Sequence, residues 1–413
     1  MSKKRLLMGA VLAIAVVGGT FTWMENRQPS TPLQVVKSDP ALIQKGEYLA
    51  QMGDCTACHT ADDGAFLAGG HAMETPFGTI YGTNLTPSAD HGIGRWTSDD
   101  FHKALTEGVA PPSKHLYPAM PYVSFHDITR EDSDALYAYL MSLPAVDQTI
   151  AVTALPFPFN QRASLIGWNM LFFDKNEPAP TSIGNSESWQ RGKYLVDTLG
   201  HCAMCHSPLG ELGNLDKSAA MTGGFVGTFH GPDITPEGLS ERGWSPESLK
   251  QYLTTGLAPQ GSAFGDMYKV VYYSLQHSTE EDADAIVTYL MGENPLPAKN
   301  VAIGDNQHNP EGKALYNALC SSCHMADGSG KPHTAIAMIN NSTIRNSNPY
   351  NLITAIFEGI APQVFPKDEK MAGMPAFKDK LTDQQTADLV NYLREQWGGM
   401  TTKVNADEIQ AYR

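Results

Sequence analysis

The sequence has no cysteine to spare. All six fall in three short motifs, Cys55-Thr-Ala-Cys58-His59, Cys202-Ala-Met-Cys205-His206 and Cys320-Ser-Ser-Cys323-His324. A structural disulfide framework scatters cysteines over loops and leaves some outside any motif, so these six do not read as one. Basic residues are also short: 29 Lys and Arg stand against 44 Asp and Glu, a formal net charge of −15. That deficit argues against nucleic acid as a partner. Runs of strand-like alternation are missing. So is a second long apolar run at the far end, where the chain closes Ala411-Tyr412-Arg413.

What is present is the motif itself, three times. A redox dithiol is normally single, and a zinc site pairs one Cys-x-x-Cys with another and needs no His after each. Cys-x-x-Cys-His is the pattern of covalent c-type haem attachment, and three copies that use every cysteine favour it over both alternatives. In that reading Cys55 and Cys58, Cys202 and Cys205, and Cys320 and Cys323 form thioethers to three haems. His59, His206 and His324 bind the irons. At 413 residues the chain is long enough for two to four domains, and three motifs indicate three. Each would bury a modest core to which haem adds a large apolar element. The 37 Gly and 27 Pro suit short helices joined by wrapping loops.

Lys3, Lys4 and Arg5 precede an uncharged apolar stretch, Leu6–Trp23. A basic start and an apolar core read as an export signal. The length is at the lower limit for a membrane span. No clear small-x-small cleavage site closes it, so residues 1–28 are expected to stay as an anchor. The basic end would lie in the cytoplasm and the rest in the periplasm of a bacterial cytoplasmic membrane.

The repeat extends beyond the cysteines. "KGEYLAQMGD", "RGKYLVDTLGH" and "EGKALYNAL" precede the motifs, each read as a Gly followed by a short amphipathic helix. Downstream lie Gly108-Val-Ala-Pro111, Gly256-Leu-Ala-Pro259 and Gly359-Ile-Ala-Pro362, which read as helix stops. Each copy closes on a helix with Thr ten residues before Tyr: Thr129 and Tyr139, Thr279 and Tyr289, Thr382 and Tyr392. Asp132, Asp282 and Gln385 occupy the capping-box position. The first two copies also share Asn84-Leu-Thr-Pro87 with Asp233-Ile-Thr-Pro236, and Arg95-Trp96 with Arg242-Gly-Trp244. The expected fold is all-α: three tandem cytochrome c-type domains at 38–150, 186–297 and 305–402. Residues 151–185, with "LPFPFNQRASLIGWNMLFF", form a linker packed on the surface or a docking patch.

Each iron needs a sixth ligand. Met120 and Met267 each lie 61 positions after their histidine, His59 and His206, an offset that core methionines would not repeat. The third copy offers Met371 and Met374. Met374 precedes Pro375 as Met120 precedes Pro121, and is preferred. A His/Met site carries electrons, whereas an open site binds small molecules. His115 could rival Met120, though it and His201 are expected to be solvated. Arg95, Trp96, Arg242 and Trp244 are either haem-propionate donors or packing residues.

With these stretches in place, the chain resembles the triheme cytochrome c subunits of membrane-bound periplasmic dehydrogenases. "GEYLAQMGDCTACHT", "TPFGTIYGTNLTP", "LYPAMPY", "LPFPFN", "GWNMLFF" and "CAMCHSP" carry the likeness. It covers almost the whole chain after the anchor. In that family a large catalytic subunit oxidises alcohol, aldehyde, gluconate, sorbitol or fructose with pyrroloquinoline quinone, flavin or a molybdenum cofactor. Its electrons pass through the cytochrome to ubiquinone in the membrane. The resemblance therefore implies electron transfer, with no catalytic residue in this chain. A free-standing electron carrier to a terminal oxidase and a haem peroxidase are the competing readings.

Overall fold

A computed structural model describes residues 39–176, 180, 182–305 and 309–413. The expected anchor at 1–28 lies outside these. The described residues form two compact units: those up to 176 with 197–201, and those of 180–196 with those from 202 onward. The second unit holds both the second and the third Cys-x-x-Cys-His motif.

In the first unit the leading helix, Pro40–Met52, starts from Asp39, whose carboxylate accepts from the Ala41 amide at 3.0 Å. It crosses the closing helix, Arg130–Ser142. Gly46 is inside the leading helix rather than before it, contrary to the reading of the repeat. A Cβ there would lie 2.0 Å from the Ala135 carbonyl oxygen, so only glycine lets the two backbones meet. The same contact recurs twice in the second unit. Gly192 of Glu187–Lys193 meets Ala285 of Glu280–Met291 (1.9 Å), and Gly312 of Pro310–Leu319 meets Asp388 of Asp383–Gly398 (2.2 Å). At each crossing the neighbour one turn on is the predicted tyrosine, Tyr139, Tyr289 or Tyr392.

The closing helices begin as expected. Thr129 and Thr279 accept from the amides of Asp132 and Asp282 at 3.1 Å, and Thr382 with Gln385 forms a full capping box. The two aspartates also reach back to their leading helices: Asp132 to Lys45 at 2.8 Å, and Asp282 to Arg191 at 2.7 Å. The middle helices are Ser98–Glu107, Pro246–Thr255 and Tyr350–Glu358. The first two end on Gly108 and Gly256 at φ 65° and 73°, the left-handed cap that glycine adopts without strain.

The fold is mostly helical. Among the described residues the strands form five antiparallel pairs of two to four residues per strand, such as Val109–Ala110 with Lys114–His115. Strands that short cannot display a period-two pattern, which is why the sequence does not announce them. The third motif's core gathers Tyr316, Ile353, Phe357, Leu389, Val390 and Trp397, all buried. Each such side chain contributes about 1.5–3 kcal/mol by leaving water.

Within the second unit the stretch after the second motif is sewn to the third. Arg242 and Trp244 both donate to Ser342 Oγ, at 2.8 and 3.1 Å. Arg345 donates to the carbonyls of Glu241 and Lys299, at 2.7 and 2.6 Å. Asn351 exchanges two hydrogen bonds with the His230 backbone. In the 151–185 region a helix, Ser164–Phe172, anchors by Leu165 and by Asn169, which accepts from the Tyr122 hydroxyl at 2.7 Å. Its other side leaves Met170 and Leu171 exposed, and Phe157 in the preceding loop is exposed as well.

Candidate functional site

Each motif is a single helical turn: Cys55–His59, Ala203–His206 with Cys202 as its cap, and Ser321–His324 with Cys320 as its cap. The tight turn brings two thiols and an imidazole to one short stretch. In the first two copies the residue before the first cysteine is left-handed, Asp54 at φ 49° and His201 at φ 39°. That kink separates the motif turn from the leading helix. The histidine carbonyl then accepts from a glycine amide in every copy: Gly69 and Gly223 at 2.7 Å, Gly330 at 3.1 Å.

The three imidazoles are held in the same way. His59 Nδ1 lies 2.6 Å from the Thr83 carbonyl, His206 Nδ1 2.7 Å from Pro232, and His324 Nδ1 2.9 Å from Ile336. A carbonyl can only accept, so Nδ1 carries the proton and Nε2 keeps its lone pair for a metal. A second bond of this kind fixes ring orientation and tautomer. Burial lowers the pKa of all three, His206 to about 4, so each is a neutral imidazole at neutral pH. Burial also pushes the thiols of Cys55 and Cys320 up, to about 12 and about 11. Half-buried neutral thiols of this kind are not the thiolates of a reactive dithiol.

Sequence reading missed these three carbonyls, although a signal existed. The shared Asn84-Leu-Thr-Pro87 and Asp233-Ile-Thr-Pro236 follow directly after Thr83 and Pro232. Asn84 Oδ1 accepts from the Thr86 amide and Asp233 Oδ1 from the Thr235 amide, both at 2.8 Å. Each side chain locks the turn that aims the preceding carbonyl at the imidazole. The third copy lacks the motif and takes its carbonyl from Ile336. A similar turn stands five residues on, where Asn341 Oδ1 accepts from Thr343 and Ile344. Close packing backs the first two sites: a Cβ on Gly82 would lie 1.7 Å from the Cys58 carbonyl, and one on Gly231 2.1 Å from that of Cys205.

The candidate methionines are all half-buried. Met120 ends a turn in which its amide donates to the Tyr117 carbonyl at 2.9 Å, and its own carbonyl accepts from the Tyr122 amide at 2.8 Å. Met267 is the second residue of the helix Asp266–Tyr273 and packs on Ala263, Val271 and Phe365. Met374 pairs with Ile360 through two backbone hydrogen bonds. It borders the same apolar cluster as Cys320. Met371, three residues earlier, packs instead on the cluster that holds Met267.

Other candidates sit differently from expectation. His201 is half-buried, its ring edge-on to Phe125 at 5.7 Å, because the left-handed backbone there turns it inward. His115 is half-buried on a strand, with Arg162 donating to its carbonyl. Arg242 is buried and donates to the carbonyls of Gly238 and Asp233 in its own segment and to Ser342 Oγ in the third. Arg95 ion-pairs with Asp90 at 3.9 Å. Among the described residues no three His, Cys, Asp or Glu side chains form a metal cage. Nor is any described helix long and apolar enough to cross a membrane.

The cytochrome c family model matches residues 43–144 and 310–397. The fructose dehydrogenase cytochrome subunit of Gluconobacter japonicus is 37% identical, over 98% of this chain and 88% of that protein. The gluconate 2-dehydrogenase cytochrome c subunit of Pantoea cypripedii is 34% identical, over 98% of this chain and 95% of its own. A nicotinate dehydrogenase subunit of Pseudomonas putida is 38% identical over 95% of this chain, which spans only 34% of that longer protein.

Proposed function

Because the chain belongs to the cytochrome c subunits of dehydrogenases, we propose that it is a three-haem relay. It would take electrons from a dehydrogenase catalytic subunit and deliver them to ubiquinone at the periplasmic face of the bacterial cytoplasmic membrane. The observation that carries the count of three is the same imidazole–carbonyl bond at all three motifs, including the second, which the family model does not match.

When bound, c-type haem supplies a reversible one-electron couple at its iron. The chain's own residues hold it. Cys55 and Cys58, Cys202 and Cys205, and Cys320 and Cys323 would each anchor one. His59, His206 and His324 would present Nε2, aimed by their backbone partners. Met120, Met267 and Met374 would offer thioether sulfur on the other side. Met374 and Cys320 border one apolar cluster while Met371 packs on another, which supports Met374 as the third ligand. Soft thioethers favour the reduced iron and raise the potential, which suits a relay. Nothing in this scheme makes or breaks a substrate bond, so substrate oxidation belongs to the partner, with pyrroloquinoline quinone, flavin or molybdenum.

The test is to purify this chain from native membranes in mild detergent and identify what stays bound. A large dehydrogenase with its cofactor is expected, with substrate reducing all three haems and added ubiquinone reoxidising them. A chain with three haems and no partner would favour the free-standing carrier. Rapid reduction of added peroxide would revive the peroxidase.

A further inference from the structure

The second site is not finished by its own segment. In the first copy the ring that lies against the capping Gly108 is Tyr122, two residues after Met120, with its Cδ1 2.6 Å from where a Cβ would sit. In the second copy the ring against Gly256 is Phe365, with its Cδ1 at 2.5 Å, and Phe365 comes from the third segment. It is carried there by the hairpin Gln363–Phe365 with Glu369–Met371, whose register pairs Phe365 with Glu369 and Gln363 with Met371. Phe365 is buried, with Tyr268 edge-on at 5.5 Å, and the Tyr268 hydroxyl donates to the Val364 carbonyl at 2.8 Å. Met371 lies against the same cluster, which includes Met267, Leu257 and Tyr252.

We infer that the third segment completes the second haem site: Phe365 and Met371 form part of the apolar wall that seats Met267 and keeps water from it. This rests on Met267 being the second iron's ligand. The two residues act through their packing, as positioning residues. A dry wall disfavours the extra charge of oxidised iron, so removing it should lower that haem's potential. It also couples two sites that sequence reading keeps apart. Met371, an alternative ligand for the third iron, serves the second instead.

The experiment uses the full haem-loaded chain with its bound partner. The redox transitions are resolved by spectroelectrochemistry, and the methionine–iron charge-transfer bands are recorded beside them. Met267→Ala and Met374→Ala identify the second and third transitions. Phe365→Ala is expected to shift the transition that Met267→Ala displaces to lower potential and to leave the one displaced by Met374→Ala in place. Met371→Leu should move the same transition by less. Phe365→Leu serves in the same way if the alanine variant does not accumulate. A shift confined to the third transition, or no shift, overturns the inference. If Met267→Ala itself displaces no transition, the ligand assignment fails and the inference falls with it, a result distinct from Phe365 being silent.

Discussion

At the scale of single residues the site depends on close approaches that tolerate no extra atom. Gly82→Ala would place a methyl inside the Cys58 carbonyl. Relief requires the backbone to move, at a cost of about 1–3 kcal/mol for such overpacking. The expected outcome is a lower melting temperature and loss of haem from the first site alone, read by haem stoichiometry. Gly231→Ala should do the same at the second. Met120→Ala should remove one methionine–iron charge-transfer band, and an unchanged spectrum would refute its role. Much of this was legible. Residue type and spacing pick out the cysteines and histidines as the proposed haem-holding groups, and the equal offset of 61 positions points to Met120 and Met267. Residue type does not name the carbonyls of Thr83, Pro232 and Ile336, because any residue supplies a carbonyl; the shared turn motif at Asn84 and Asp233 marks only the first two. The side of the third hairpin on which Met371 falls was hidden because only the backbone path decides it.

At the scale of elements, three crossings of leading and closing helices repeat one geometry. Gly192→Ala sets a methyl 1.9 Å from the Ala285 oxygen and should destabilise by about 1–3 kcal/mol. Gly167, on the helix Ser164–Phe172, has nothing within 4 Å of its would-be Cβ. There Gly→Ala should stabilise that helix by up to about 1 kcal/mol, because alanine restricts the unfolded chain. Thermal unfolding of the two variants should move in opposite directions. Thr382→Ala removes the full capping box and should cost about 1 kcal/mol. The closing helices and their caps were readable because Thr, an acid or amide three residues on, and a helical apolar stripe all agree. The five short hairpins were not. Their strands are held by turns and by neighbouring helices rather than by a pattern of their own.

At the scale of the whole molecule, three sequence repeats fold as two compact units. The second and third repeats share one because Arg242, Trp244, Arg345 and Phe365 span them, and no local pattern encodes such a pairing. In the 151–185 region Met170 and Leu171 stay 83% and 74% exposed. Changing both to Lys should alter stability by no more than about 0.5 kcal/mol for each, as at other exposed sites, and thermal unfolding reads it. A large loss of stability would contradict that placement. The claim on which the rest stands is that the chain holds three haems, one for each Cys-x-x-Cys-His turn. The most direct measurement is intact-mass spectrometry of the mature chain with a haem assay against protein concentration, followed by peptide mapping. The account predicts three covalent haems per chain, on peptides containing Cys55–Cys58, Cys202–Cys205 and Cys320–Cys323. Two haems, with an unmodified Cys202–Cys205 peptide, would contradict it.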